Sequence, residues 1–288
     1  NVLATIFRRT PLNNFTHVEQ YEYWYELEPF KGFDMKLSFV SRNMYPVGGI
    51  GYLHASANQD TTSLQRITTS EIRANIRLAY NEKYVEGSFS RASMGTKYPI
   101  VQIQYIEGLK GVFGSAYNYR KVSINIDDRL RFGVFGYTNY ILEAGRTWGL
   151  VPYPLMVIHP GNETYVYDWA AFNMMNLYEF TSDKYAQATI IHHFDGFFLN
   201  HIPLMRKLKW REVASFKWLA GSVDEKNRKE LIFPGGLSSL NRGPYMEAGA
   251  GIENIFRFLR VDCFWRLSYL DNPNVKPFGV RVSLQVIF

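Results

Sequence analysis

The sequence holds a single cysteine, Cys263, which excludes an internal disulfide and any thiolate metal cluster. It also lacks a stretch of about 18 apolar residues, the length a membrane-crossing helix needs. The least polar run, Thr147 to Asn162, is interrupted by Pro152, Pro154 and Pro160, each of which would break a helix. No block of like charge occurs. The 32 Lys and Arg and 26 Asp and Glu residues are interleaved, so the net charge of +6 forms no basic face, and nucleic acid is not an expected partner. A leader-like N-terminus is missing too. The chain opens mid-pattern with NVLATIFRRTP, and the expectation is one barrel domain over 1–288 that forms the C-terminal part of a longer protein.

What the sequence has is aromatic residues, 20 Tyr and 21 Phe, set in segments that also carry charge. The segments alternate. Phe33, Met35, Leu37 and Phe39 alternate with Asp34, Lys36 and Ser38. Ile72, Ala74, Ile76 and Leu78 alternate with Glu71, Arg73, Asn75 and Arg77. Near the C-terminus, Val261, Cys263 and Trp265 alternate with Arg260, Asp262, Phe264 and Arg266, and Val280, Val282, Leu284, Val286 and Phe288 with Arg281, Ser283 and Gln285. A helix would smear these charges around its circumference, whereas a two-residue period sends them to one face of a strand.

A soluble β-sandwich alternates in the same way. The runs here reach about ten to thirteen residues, however, against a usual strand of about five or six. Their polar face carries charges of both signs, as a lumen does, and aromatic residues near the strand ends suit two interfacial girdles. The fold expected is all-β: a closed, transmembrane antiparallel β-barrel of about 14 strands, within a range of about 12 to 16. The strands are placed near 2–9, 18–28, 33–42, 68–80, 83–92, 98–107, 114–127, 131–144, 172–182, 184–195, 208–221, 244–256, 257–269 and 277–288. Asp34, Lys36, Arg42, Glu71, Arg73, Arg77, Arg260, Asp262, Arg266 and Arg281 are expected to face the lumen, where they would line a pore or form a salt-bridged filling. The final strand, with Val282, Leu284, Val286 and Phe288 on one face, looks like a C-terminal insertion signal. With the C-terminus on the periplasmic side, Pro29–Gly32 and Asn254–Arg257 become short turns, and 43–67 and 222–243 long extracellular loops. The segment 145–183 fits no single assignment.

Four stretches carry a resemblance: GLVPYPLMVIHPGN (149–162), FNMMNLYEFTSDKY (172–185), FDGFFLNHIPLMRKLKWREV (194–213) and EAGAGIENIFRFLRVDCFWRLSY (247–269). They resemble a Bacteroidota outer-membrane family that joins a carboxypeptidase-regulatory-like sandwich to a C-terminal barrel domain of unknown function. The resemblance implies fold and outer-membrane location, and it carries no activity. The last strands are also similar to the barrels of outer-membrane insertases and translocases. The Arg-Gly loop motif of that group has its nearest counterpart in Asn241-Arg242-Gly243, one loop too late.

Catalytic candidates are weak. His192 and His193 are adjacent on a strand and so point to opposite faces. His159-Pro160-Gly161-Asn162 reads as a turn, and the glycines at 48–51 lack the Lys-Ser/Thr of a phosphate-binding loop. No Gly-x-Ser-x-Gly elbow is present. The expectation is a barrel without catalysis, cofactor or metal, serving as a scaffold or accessory subunit of an envelope assembly or secretion complex. Its partners would be outer-membrane lipid or lipopolysaccharide and other envelope proteins. A diffusion channel is the alternative, and a lipid-modifying enzyme the third reading.

Overall fold

The alternating runs form strands because β-branched and aromatic side chains pack well on a pleated surface. The computed structural model describes residues 14–55, 61–87 and 91–285. Eleven strands make one sheet: β1 (Asn14–Phe30), β2 (Phe33–Gly48), β3 (Ile67–Ala79), β4 (Ile100–Gly108), β5 (Tyr119–Arg131), β6 (Tyr137–Gly149), β7 (Lys184–His193), β8 (Arg211–Ser222), β9 (Tyr245–Ile255), β10 (Leu259–Arg266) and β11 (Phe278–Leu284). Each strand pairs with the next in the chain, always antiparallel. The sheet curls, since residues from β1 through β7 face one shared cavity.

The connections segregate by end. One rim has 31–32, 80–99, 132–136, 194–210 and 256–258; the other has 49–66, 109–118, 150–183, 223–244 and 267–277. The β1–β2 turn is tight because Gly32 adopts a φ of 84°, and a Cβ there would lie 2.3 Å from the Ala79 carbonyl oxygen. Only glycine tolerates both conditions.

Inside and outside separate by parity. Tyr21, Tyr23, Tyr25, Ile72, Leu142, Val280, Val282 and Leu284 are exposed on the outer face. Glu71, Lys217, Glu247, Glu253, Arg260, Asp262, Arg266 and Arg281 are buried on the inner one. The buried apolar clusters are also internal. One joins Ile50, Tyr52, Tyr153, Leu155, Leu231 and Leu237 across the long loops. The other sets Phe172, Met175 and Phe180 against Tyr185, Leu219 and Tyr245 of the wall.

Two of the fourteen expected strands differ. The strand placed at 2–9 lies outside the described residues. The stretch near 83–92 is a short hairpin, Lys83–Glu86 with Arg91–Gly95, standing off the sheet. The stretch near 172–182 folds inward, with only Thr181–Ser182 in a two-residue ladder to Val157–Ile158. Both carry the residue types of strands but not an unbroken ten-residue alternation, so they cannot span.

Of the expected closing pair, 2–9 with 277–288, the first strand falls outside the described residues. Among the described residues no ladder joins β1 to β11. Both strands run from the long-loop rim to the short-turn rim, so an antiparallel seam between them would need an odd number of further strands. At the β11 edge, Val282 donates its N–H to the Tyr165 carbonyl (2.9 Å) and accepts from the Tyr167 N–H (2.9 Å), a parallel bridge to an internal segment. That segment occupies the edge where a neighbouring strand would pair.

The two faces should respond differently to charge. Leu142→Arg, on the outer face in the middle of β6, is expected to cost about 2–4 kcal/mol. Gln104→Arg, which opens into the internal cavity, should stay below about 1 kcal/mol. Denaturant unfolding of the barrel in lipid vesicles measures both, and equal losses would show that the inward and outward faces are misassigned.

Candidate functional site

The site is built by the connection that enters the barrel. After β6, Pro152 and Pro154 hold 150–156 in a turn, and Val151, Tyr153 and Leu155 are fully buried under the long loops. The ladder of Val157–Ile158 with Thr181–Ser182 then forms the neck of a loop whose body, 159–180, descends into the lumen. Gly161 is obligatory in this descent: a Cβ would stand 2.2 Å from the Asn176 carbonyl oxygen. Asn162 organises the turn below it. Its side-chain oxygen accepts the Thr164 N–H (2.9 Å), and its amide donates to Val166 O and Asn173 Oδ1 (2.8 Å each).

An irregular segment of this kind brings unpaired backbone groups into a water-poor interior, and the wall strands answer them with charge. Glu247 of β9 accepts the Asn173 and Met174 N–H groups (2.8 and 2.9 Å) and the Tyr245 hydroxyl (2.9 Å). Lys217 of β8 donates to the carbonyls of Trp169 (3.0 Å) and Ala171. Arg281 of β11 donates to the Asn173 carbonyl. Arg266 of β10 forms a two-pronged pair with Glu179 (2.6 and 2.9 Å) and reaches Met174 O (3.2 Å). Arg260 pairs with Asp262 through two hydrogen bonds (2.7 and 2.8 Å) and lies 4.5 Å from the Tyr167 ring, which stacks on Phe264. The glycines of β9 and β11 make room: at Gly279 a Cβ would meet Met174 Sδ at 3.1 Å.

The ten charges expected in the lumen fall into three groups. Arg260, Asp262, Arg266 and Arg281 hold the plug, as above. Glu71 is fully buried and bound by Arg42, Arg73 (2.7 Å) and the Tyr119 hydroxyl. Asp34, Lys36 and Arg77 line a cavity of about 1320 Å³ on the opposite side of the lumen. There Arg77 bridges Asp34 (3.1 Å) and Glu82 (2.7 Å), beneath the hairpin carrying Tyr84 and Ser93. The remaining lining mixes carboxamides and acids, among them Asn75, Gln102, Gln104, Asn125, Glu143 and Gln187, with hydroxyl, aromatic and isoleucine side chains. Of the C-terminal signal residues, Val282 and Leu284 point outward on β11; Val286 and Phe288 lie outside the described residues.

The histidines are tied into local structure. His159 is buried at the plug neck, with Nε2 3.0 Å from Ser182 Oγ, and burial lowers its pKa to about 4. His192 Nδ1 meets Thr138 Oγ1 (2.7 Å), while His193, on the opposite face, meets both Glu253 oxygens (3.0 Å) and stacks on Tyr137. Among the described residues no group of three or more His, Cys, Asp or Glu side chains is placed to hold a metal ion.

Comparison with known proteins places this architecture. The C-terminal domain of a family of unknown function, DUF5686, matches residues 52–233. The chain belongs to the DUF5686 family. No curated protein matches it. Among solved structures, 56 chains match. One is BamA from Haemophilus ducreyi lacking POTRA domains 1–3, with a TM-score of 0.58 at 10% identity, over 94% of this chain and 55% of that one. At such identity the likeness is one of fold, that of an outer-membrane β-barrel, and this chain spans about half the length of that structure.

Sequence reasoning missed most plug contacts in the DUF5686 barrel. Glu247 and Glu253 were visible as the polar face of an alternating strand, and Lys217 shares its face with Ser215 and Gly221. The plug residues Asn162, Asn173 and Glu179 have no periodic signal; only their proline- and asparagine-rich surroundings mark an irregular segment.

Lowering pH should loosen the plug neck. A free imidazole titrates near 6.5, so below that pH the released state binds a proton that the buried ring refuses. Stability of the neck therefore falls as pH drops from 6.5 and levels off near 4, a loss of about 3 kcal/mol. Hydrogen exchange of 157–182 should speed up over this window in the wild type and change little in His159→Gln. An equal pH response in the variant would show that His159 is not the cause.

Proposed function

We propose that this chain is a non-catalytic outer-membrane barrel that serves as a scaffold or accessory subunit of an envelope assembly or secretion complex, with its C-terminus on the periplasmic side. The observation that carries the reading is the plug. The interior beside β8–β11 is filled by the chain's own loop, held by side chains with 0–5% exposure in the ion pairs, which suits a rigid platform better than a conduit. The two rims, one of elaborated loops and one with an α-helix and aromatic turns, give such a platform surfaces on both sides of the membrane. Its surroundings in this reading are outer-membrane lipid, lipopolysaccharide and other envelope proteins.

A second reading, a path for small solutes, is favoured by the polar cavity on the unplugged side. Planar-bilayer recording separates the two. The scaffold reading expects no conductance steps from the wild type, and steps only when the lock is broken, as in Glu247→Ala with Arg266→Ala. Arg266→Ala strands the buried Glu179 carboxylate and should cost about 3–5 kcal/mol of plug attachment, and Glu247→Ala leaves two buried N–H groups unmet, about 1–3 kcal/mol. Steady unitary steps from the wild type would favour the channel. Purification from native membranes in mild detergent should recover the barrel with partner chains; recovery as a lone monomer would sink the scaffold reading.

A further inference from the structure

The short-turn rim concentrates exposed apolar surface. Three neighbouring connections build it: the β5–β6 turn, the β7–β8 loop and the β9–β10 turn. They touch one another through the Phe135 and Phe197 rings (5.0 Å) and through the Asn254 side-chain amide, which donates to the Lys209 carbonyl (2.7 Å). Val134 and Phe135 stand exposed on the first, Phe198 and Leu204 on the second, Phe256 and Phe258 on the third. Phe256 is held out by a turn in which Asn254, Phe256 and Arg257 all have positive φ, a conformation rare for side chains of this kind. Leu204 lies on a short helix, α1 (Pro203–Leu208), whose other residues include Arg206 and Lys207.

The unpaired charge around this apolar mound is positive. Asp195 is paired with Arg211 (3.1 Å), and Glu212 accepts the Leu199 N–H. Arg131, Arg206, Lys207, Lys209 and Arg257 are exposed, and among the described residues none has a carboxylate partner. A contiguous apolar surface marks an interaction site. Exposed aromatic and aliphatic side chains ringed by unpaired cations match the boundary between acyl chains and anionic headgroups. A protein partner for so many phenylalanines would bring its own apolar patch but no reason for the ring of cations.

We infer that the short-turn rim is an anionic-phospholipid contact: Val134, Phe135, Phe198, Leu204, Phe256 and Phe258 enter the acyl boundary while Arg206, Lys207, Lys209 and Arg257 hold lipid phosphates. The contact would fix the depth and tilt of the barrel on the side from which β7 to β10 emerge, beside the plugged part of the lumen. It rests on the membrane reading above.

The test titrates the full chain, folded in neutral detergent, with short-chain phosphatidylglycerol, phosphatidylcholine, lipid A or polyglutamate, and counts bound ligand by native mass spectrometry. Phosphatidylglycerol should bind at least about tenfold more tightly than phosphatidylcholine. Lys207→Gln with Lys209→Gln should weaken phosphatidylglycerol by about fivefold per cation removed and leave phosphatidylcholine unchanged. Leu204→Asn with Phe256→Asn should weaken both lipids, and because all four side chains are exposed these variants should fold. Equal binding of the two phospholipids, a double-glutamine variant indistinguishable from wild type, or stronger binding of lipid A would each overturn the inference. Variant-sensitive capture of polyglutamate without phosphatidylglycerol would overturn it in favour of an acidic protein partner. Binding of phosphatidylcholine without anionic preference removes this inference alone; failure to bind any lipid or to insert into vesicles removes the membrane reading with it.

Discussion

The backbone of the inward loop has to be satisfied without water and without a ladder, and the rest of the interior follows from that requirement. A regular strand pairs its own polar groups with its neighbours; residues 163–176 have no such neighbour along most of their length. Several of the amides and carbonyls they expose toward β8–β11 are met by ionised side chains: Glu247 for the N–H groups of Asn173 and Met174, Lys217 and Arg281 for the carbonyls. Charge-assisted hydrogen bonds are about twice as strong as neutral ones, so a few suffice to hold an otherwise irregular segment. The cost is specificity of a demanding kind, because a buried charge left without its backbone partner is worse than none.

The same logic explains the edge of β11. In a hydrocarbon environment an edge strand cannot leave its amides bare. Tyr165–Tyr167 supplies a surrogate pairing at Val282, held in register by the Asn162 turn above and by Tyr167 packed between Arg260 and Phe264 below. Plug and seam are thus one unit: movement of the loop would withdraw the groups that satisfy Val282 and, at the same time, the partners of Arg281 one residue earlier on the opposite face. A change at either place is felt at the other through a single strand.

The wall of this molecule was legible in its sequence because a two-residue period is a local property. Arg260, Asp262, Arg266 and Arg281 declare their face by alternation with Val261, Cys263, Trp265 and Val280, whatever fills the lumen. What fills it was not legible, since Arg266 and Arg281 meet side-chain and backbone groups of a loop 87 to 108 residues away, as in the Arg281 to Asn173 contact. Composition misled at 172–182, where Phe, Met and Leu are apolar enough for a strand but serve to pack against Tyr185, Leu219 and Tyr245 from inside. Closure was expected from the chemistry of membranes; β1 and β11 run the same way whether or not the two misplaced strands are counted, because removing two leaves the parity unchanged.

The lumen therefore has two unlike halves, and the identity of the charged residues alone does not tell them apart. Arg77 and Arg266 both lie on inward positions of alternating strands. Arg77, half-buried at the side of a polar cavity, bridges the partly exposed Asp34 and the buried Glu82. Arg266 has no exposed surface, and its five hydrogen bonds go to Glu179 and to the Ser268, Tyr269 and Met174 carbonyls. The difference is set by what stands opposite. The strands facing the cavity carry carboxamides that can solvate themselves with water, while β9 and β11 carry Gly249, Gly251 and Gly279, which leave room for other atoms of the chain to come close. Small residues next to large cations on the same inner face are what turn a wet wall into a socket.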